Sequence, residues 1–303
     1  MNFKALAALV TGLLILMTTG HTVMAKTMET KTYCVGRLLI DVPTEFEVMD
    51  FGGSVRGIRI ERVASGDEKE AERLFSERVR KLKAGEFYKD TVKMLFRSVD
   101  QVGSLRTLSY LVDWSDAGFQ PQEPWTVETF VSVDAVVFHL ETAMDNESKN
   151  SSEADLVSVA SAIRPREFDE IPKETGVCLK DAFVALPHGT ENAHALFRDP
   201  EQFVGMEVDF LTRKAGERDI DLTAPESDIG NSVSIAGLKG REAKDYGKEF
   251  FFHAAVGKQV AASHNGYAVD LSYFDRRKNF GSEPYSQSFA EKAWENLIEG
   301  TAE

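Results

Sequence analysis

Apolar positions repeat along the chain in two rhythms. Across residues 67–83, Ala71, Leu74, Phe75, Val79 and Leu82 recur at three- and four-residue spacing with Glu, Arg and Lys between them, which predicts an amphipathic helix. The same rhythm returns in Leu156, Val159, Ala160 and Ile163, and again in Phe289, Ala293, Trp294, Leu297 and Ile298, predicting two further helices that each lay one face on a sheet. Ser151 or Ser152 starts the earlier of these, and Arg164-Pro165 stops it, because proline disfavours helix at the residue before it. Elsewhere the alternation has a period of two. Residues 105–114, 126–133 and 136–143 read as neighbouring antiparallel strands, with Val133-Asp134-Ala135 as a tight reversal. Residues 249–256, 259–263 and 267–274 repeat that meander, His264-Asn265-Gly266 supplying a turn. Strands grouped together with helices at the ends predict an α+β fold, not a doubly wound parallel sheet.

The pattern is duplicated. Cys34-Val-Gly-Arg-Leu-Leu-Ile-Asp-Val-Pro43 and Cys178-Leu-Lys-Asp-Ala-Phe-Val-Ala-Leu-Pro187 each set a Cys nine positions before a Pro, and the copies lie 144 residues apart. Each is followed by an alternating apolar run (55–63; 203–211), a run with a turn near Gly103-Ser104 or Gly237-Leu238, two more strand-like runs and a terminal helix. This predicts two tandem, similarly built domains, each a mainly antiparallel sheet with packed helices. The first spans 26–165 and the second 175–303; the charged stretch 166–174, holding Pro172, is the linker. Residues 1–25 stand apart: Lys4 precedes an apolar run, and Val23-Met24-Ala25 ends in a small residue, the pattern of a secretory signal cleaved near Ala25. That run is about 13 residues, short of the roughly 20 that cross a bilayer as a helix. The expected product is exported, periplasmic in a Gram-negative host, with no integral membrane segment once the signal is removed.

Charge narrows the partners. Thirty-five Lys and Arg against 49 Asp and Glu give a formal charge of -14, the wrong sign for tracking a phosphate backbone. Nucleic acid is excluded as a partner, whereas a basic protein surface would be steered in. Catalytic signatures are missing. Gly52-Gly53-Ser54-Val55-Arg56 comes nearest to G-x-S-x-G, but Arg56 stands where the last glycine must be, so the segment reads as a glycine turn before a strand. His188 and His194 are six apart, and no H-E-x-x-H or phosphate-binding glycine loop occurs. His139 and Glu141 share a strand face, which reads more simply as a face with mixed partners than as a zinc site. No catalytic residue, metal ligand or cofactor is assigned, and the chain is not read as an enzyme.

The remaining candidates concern contact. Cys34 and Cys178 occupy equivalent strand starts: either they form a disulfide stapling the two domains, or each is a small buried apolar side chain in its own domain, the reading preferred from sequence. The loop 114–125 carries Trp114, Phe119 and Trp125 with two prolines and the acids Asp116 and Glu123, a composition suited to an interface anchor, unless Trp114 and Trp125 close the end of the core. The connection 275–286 carries Arg276, Arg277, Lys278, Phe280 and Tyr285, a basic patch that either meets an acidic partner surface or is solvated.

Tyr33-Cys34-Val35-Gly36-Arg37-Leu38-Leu39-Ile40-Asp41-Val42-Pro43 and the weaker copy at Val177-Cys178 resemble the immunity proteins that protect bacteria from type VI secretion lipase effectors, specifically the type-4 lipase-immunity group. The resemblance runs through the whole mature chain. It implies a periplasmic inhibitor whose two domains grip a cognate lipase or phospholipase toxin like a claw and hold its lid so that substrate cannot enter. Its motif is structural, so Trp114, Asp116, Phe119, Glu123, Trp125, Arg276, Arg277 and Tyr285 rest on composition and not on the family. The competing classes are a periplasmic small-ligand or envelope-binding protein and, further off, a hydrolase with scattered site residues.

Overall fold

The structure is a computed structural model, and it describes residues 28–85, 87–88, 92–113, 124–213, 231–246, 250–258, 266–277 and 286–301. The first part of the chain forms β1 (Thr30–Val35), β2 (Leu38–Pro43), β3 (Glu47–Val55), β4 (Ile58–Ser65), helix α1 (Glu68–Lys83), β5 (Phe87–Tyr88), β6 (Val92–Val102), β7 (Leu105–Asp113), β8 (Trp125–Val133), β9 (Val136–Met144) and helix α2 (Lys149–Ala162). There follow β10 (Ile163–Pro165), β11 (Val177–Cys178), β12 (Ala182–Val184), β13 (Glu191–Arg198), β14 (Val204–Arg213), β15 (Asn231–Ile235), β16 (Leu238–Asp245), β17 (Phe250–Lys258), β18 (Gly266–Asp275) and helix α3 (Gln287–Glu299). Thirteen of these strands join in one sheet of order β15-β16-β17-β18-β14-β13-β3-β4-β9-β8-β7-β6-β5. The coarse α+β expectation holds as a mainly antiparallel sheet with three helices among the described residues, and the sheet dominates.

The helices form where the periodicity places them. Asp67 caps α1, its carboxylate accepting from the Lys69 and Glu70 amides, with acids in the first turn and Arg80, Lys81 and Lys83 in the last, the arrangement that suits the helix dipole. Phe75 and Leu82 of α1 are buried in a cluster with Met94, Leu108 and Tyr110 of the sheet. Ser286 caps α3 through the Phe289 amide, and α3 lays Trp294, fully buried, edge-on against Phe252 of β17. Helix α2 departs from expectation at its start. Ser148, not Ser151 or Ser152, stands at the cap, and the Asp145 carboxylate holds its hydroxyl and amide. At the other end Ile163 is already extended, and Arg164, which precedes Pro165 and is disfavoured in helix, continues as strand.

Two strand expectations change. The run 55–63 is not one strand: Arg56 and Gly57, both at positive φ (54° and 75°), turn the chain between β3 and β4. Gly52, Gly53 and Ser54 are therefore inside β3 and not in a turn ahead of it. In the second meander β17 pairs directly with β18, from Phe250 opposite Asp275 to Lys258 opposite Tyr267; residues 259–265 lie outside the described residues. The reversal at Asp134-Ala135 forms with both residues at positive φ (49° and 61°), the primed turn that matches strand twist.

The duplicated Cys motif is where the two halves of the chain lock. Cys34 and Cys178 are bonded, Sγ to Sγ at 2.09 Å, and are not separate buried thiols. Gly36 and Cys178 exchange backbone hydrogen bonds of 3.0 and 2.6 Å. Gly36 needs its left-handed φ of 61° and its missing side chain, since a Cβ there would lie 2.9 Å from the Phe210 ring. Next to it, Arg37 donates to both carboxylate oxygens of Glu191 at 2.7 and 2.6 Å, the two side chains being 4% and 0% exposed. The stretch 166–174 is not merely a solvated linker. Arg166 is buried and donates to the carbonyls of Cys34, Leu179, Phe168 and Glu170.

Candidate functional site

Strand β3 lies between the two halves, and its two edges are used unequally. Toward the second half it pairs with β13 along its whole length, from Glu191 opposite Val55 to Arg198 opposite Glu47. Toward the first half it pairs with β4 only at Ser54–Arg59 and Val55–Ile58. Beyond those two pairs the strands part, because β4 follows β9 from Arg59 to Ser65. A cleft of about 790 Å³ opens between them. Its walls are β3 with β13 and β14 on one side and β4 on the other, and the turn Leu179–Ala182 contributes to its lining.

The apex of the cleft is fixed from several directions. The Arg56 amide donates to the Thr190 carbonyl, its guanidinium pairs with Asp155 of α2 at 3.0 Å, and the Thr142 hydroxyl donates to the Gly57 carbonyl. Gly53 lets β3 and β13 lie close: a Cβ there would lie 2.3 Å from the Asn192 carbonyl oxygen, and one at Gly52 would meet the His194 ring. The apex is thus held by two hydrogen bonds and an ion pair to three other parts of the chain and not by the turn alone.

Electrostatically the wall formed by β3, β13 and β14 is acidic. Asp50, Asp209 and Asp270 lie near His194 and His253, with His194 3.4 Å from Asp50 and His253 2.6 Å from Asp270. Partial burial pushes the Asp209 carboxyl above its ordinary value, Glu207 and Asp270 add to the rise, and His194 opposes it. Donation of a hydrogen bond to the Asp270 carboxylate raises the pKa of the His253 imidazole against the opposing effect of burial. The β4 wall carries Arg59, paired with Glu61 at 3.0 Å, and Arg62. Apolar side chains also line the cleft: Val63 and Leu211 are each 42% exposed. Ser54, the nearest approach to a hydrolase nucleophile, faces Arg59 and Asn192 in its ladders and meets no base there.

A second cluster has a different character. Ligand-type atoms of Glu128, His139 and Glu141 lie within 4.8 Å of one another. Glu128 is fully buried, and Arg78 of α1 donates to both its oxygens at 2.8 and 2.9 Å. Burial works against its charge, but hydrogen bonds from His139 and Arg78 outweigh burial and hold its carboxyl down at about 2. Both oxygens being taken by a guanidinium, the cluster acts as a staple between helix and sheet. His139 lies 3.3 Å from Glu128 and stacks on the Phe130 ring.

The contact residues expected from composition fare differently. Trp114, Asp116, Phe119 and Glu123 lie outside the described residues, as do Lys278, Phe280 and Tyr285. Trp125 is 5% exposed at the start of β8, and the Arg97 guanidinium covers its ring at 3.8 Å. It closes the core and offers no surface to a partner. Arg277 is also buried and donates to both oxygens of Asp275, so the basic patch loses one of its charges; Arg276 is exposed and lies over the Phe274 ring. The cleft residues Asp50, Arg62, Val63 and Asp209 were not singled out from sequence. The Gly52-Gly53 pair was the available signal, since paired glycines within an alternating run mark close backbone approach.

Residues 31–175 match the family model described as Tle cognate immunity protein 4 N-terminal domain. The fold is similar to that in the crystal structure of a Tle4–Tli4 complex, with a TM-score of 0.65 at 19% identity over 90% of this chain and 97% of that one. It is also similar to the apo structure of the type VI secretion immunity protein TplEi from Pseudomonas aeruginosa, with a TM-score of 0.64 at 19% identity over 91% and 98%. A structure of TplEi with an "L" peptide gives 0.59 at 20% identity over 90% and 97%. Among curated proteins no significant match is found. No helix among the described residues is long and apolar enough to cross a membrane.

Proposed function

From the premise that residues 31–175 belong to the Tle cognate immunity protein 4 N-terminal domain family, we propose that this protein binds and inhibits a type VI secretion lipase or phospholipase effector in the periplasm. The two lobes, 26–165 and 175–303 about the 166–174 connection, act as the jaws of a clamp around the effector's lid region. The observation that carries this reading is the cleft between β3 and β4, which opens where the halves meet, the halves being joined by the Cys34–Cys178 bond and the Arg37–Glu191 pair. Inhibition of this kind needs a rigid, shaped surface and no nucleophile. Export places the inhibitor where a lipase attacking the periplasmic leaflet must be met. The acidic face suits a basic effector surface and speeds encounter.

The test is a phospholipase assay on the lipase encoded beside this gene, with and without the mature protein at equal molar ratio, together with co-elution. Co-elution with loss of lipase activity is expected. Absence of both complex and inhibition would refute the proposal, and ligand-dependent thermal stabilisation without a protein partner would replace it with a small-ligand-binding role. Turnover of ester substrates by the protein alone, lost on a single His or carboxylate substitution, would replace it with catalysis.

A further inference from the structure

The cleft is an unzipped hairpin. The register that sets Val55 opposite Ile58 and Ser54 opposite Arg59 would, if continued, set Phe51 opposite Arg62. Instead each strand pairs outward, Phe51 with Ala195 of β13 and Arg62 with Phe138 of β9. By the alternation of an antiparallel ladder, the backbone N–H and C=O of Phe51 and Arg62 point into the gap, where neither has a ladder partner among the described residues. Just past these residues both ladders shift register, at Val63 on β4 and at Met49 on β3, and these two residues are 42% and 44% exposed. Such irregularities keep a free edge short and turn side chains outward beside it.

Resting on the inhibitor reading above, we propose that the effector inserts an extended, Lys- or Arg-bearing segment into this gap as an added strand, hydrogen-bonding to the free edges at Phe51 and Arg62. Only another extended polypeptide offers donors and acceptors at the spacing of a strand edge, which excludes a lipid chain or a small ion as the natural occupant. Charge complementarity selects the segment. Asp50 and Asp209 line the wall beside Phe51, and Asp209 is half-buried with Glu207 and Asp270 close by, a site where a cation would offset both burial and like charge. Val63 and Leu211 offer apolar contact on the two sides for the alternate side chains.

The experiment uses the mature protein and the lipase encoded beside its gene. Hydrogen exchange is followed residue by residue, free and in complex, and lipase affinity is measured for Arg62→Pro and Arg62→Ala. Proline removes the gap-facing N–H while leaving the outward ladder bonds of its neighbours to β9, and alanine keeps the N–H while removing the same side chain. The Phe51 and Arg62 amides are expected to exchange at least tenfold more slowly in the complex, and Arg62→Pro to bind at least tenfold more weakly than Arg62→Ala. If the wild-type complex forms but both amides exchange at their free rates, strand insertion is overturned while the inhibitor reading stands; the exchange result decides even if the proline variant fails to fold. If the wild type forms no complex, the inhibitor reading itself fails and this inference with it. Overlapping synthetic peptides covering the lipase sequence then identify the inserted segment, which is expected to carry Lys or Arg.

Discussion

Replacing Arg37 by alanine removes one member of a pair that neither water nor another cation can restore. The Glu191 side chain is fully buried, and its two oxygens face the Arg37 guanidinium at 2.6 and 2.7 Å, with the Gly189 amide as a further donor. Arg37 also donates to the Leu186 carbonyl at 2.9 Å, so the substitution strands one carbonyl as well as one carboxylate. Leaving a buried charge without its partner costs about 3–5 kcal/mol, against the much smaller net worth of the pair relative to well-packed apolar side chains. Arg37→Ala should therefore lower the unfolding free energy by about 4 kcal/mol, whereas the double variant Arg37→Met with Glu191→Leu should recover at least half of that loss. Equilibrium urea unfolding at pH 7, with the disulfide intact, measures both. A single-variant loss below about 1 kcal/mol, or a double variant no more stable than the single, would refute the argument that the guanidinium offsets the desolvation of Glu191. Because the pair joins the β1–β2 turn to β13, the double variant separates two roles. If it is stable yet binds the lipase weakly, the pair also sets the angle of the cleft.

Three further outcomes follow from the same reasoning. Glu128 has a folded-state pKa of about 2 against an ordinary value of 4.5, so its contribution is complete above about pH 4.5 and is lost as pH falls toward 2; Glu128→Gln should flatten the stability profile across that window and leave its shape above pH 5 unchanged, as read by thermal unfolding across a pH series. Reducing the Cys34–Cys178 bond, or replacing both residues by alanine, releases a loop of 144 residues and should cost about 5 kcal/mol on the chain-entropy account, checked by urea unfolding with and without reductant. Trp125→Ala should act on stability before binding, lowering it by about 3–5 kcal/mol, because the ring is in the core and not on a free loop; a fully stable variant would contradict its packing.

The periodicity of the sequence determined the helices and most strands on its own terms. Asp67 before an amphipathic run, the stripe ending in Trp294, and the Asp134-Ala135 reversal are local signals, decided within a few residues by capping, side-chain rhythm and turn geometry. The duplicated Cys motif was equally legible, but what it does was not. Whether Cys34 reaches Cys178, and whether Arg37 finds Glu191, depends on bringing together positions 144 and 154 residues apart, which no local pattern encodes. The same limit explains Trp125 and Arg277, which look like surface anchors by composition and are buried once the Arg97 guanidinium and the Asp275 carboxylate are brought against them. The cleft was least legible of all. It exists because β3 chooses β13 over β4, a competition between two strand partners at very different sequence separations, settled by the packing of both halves and by glycines that let the backbones approach.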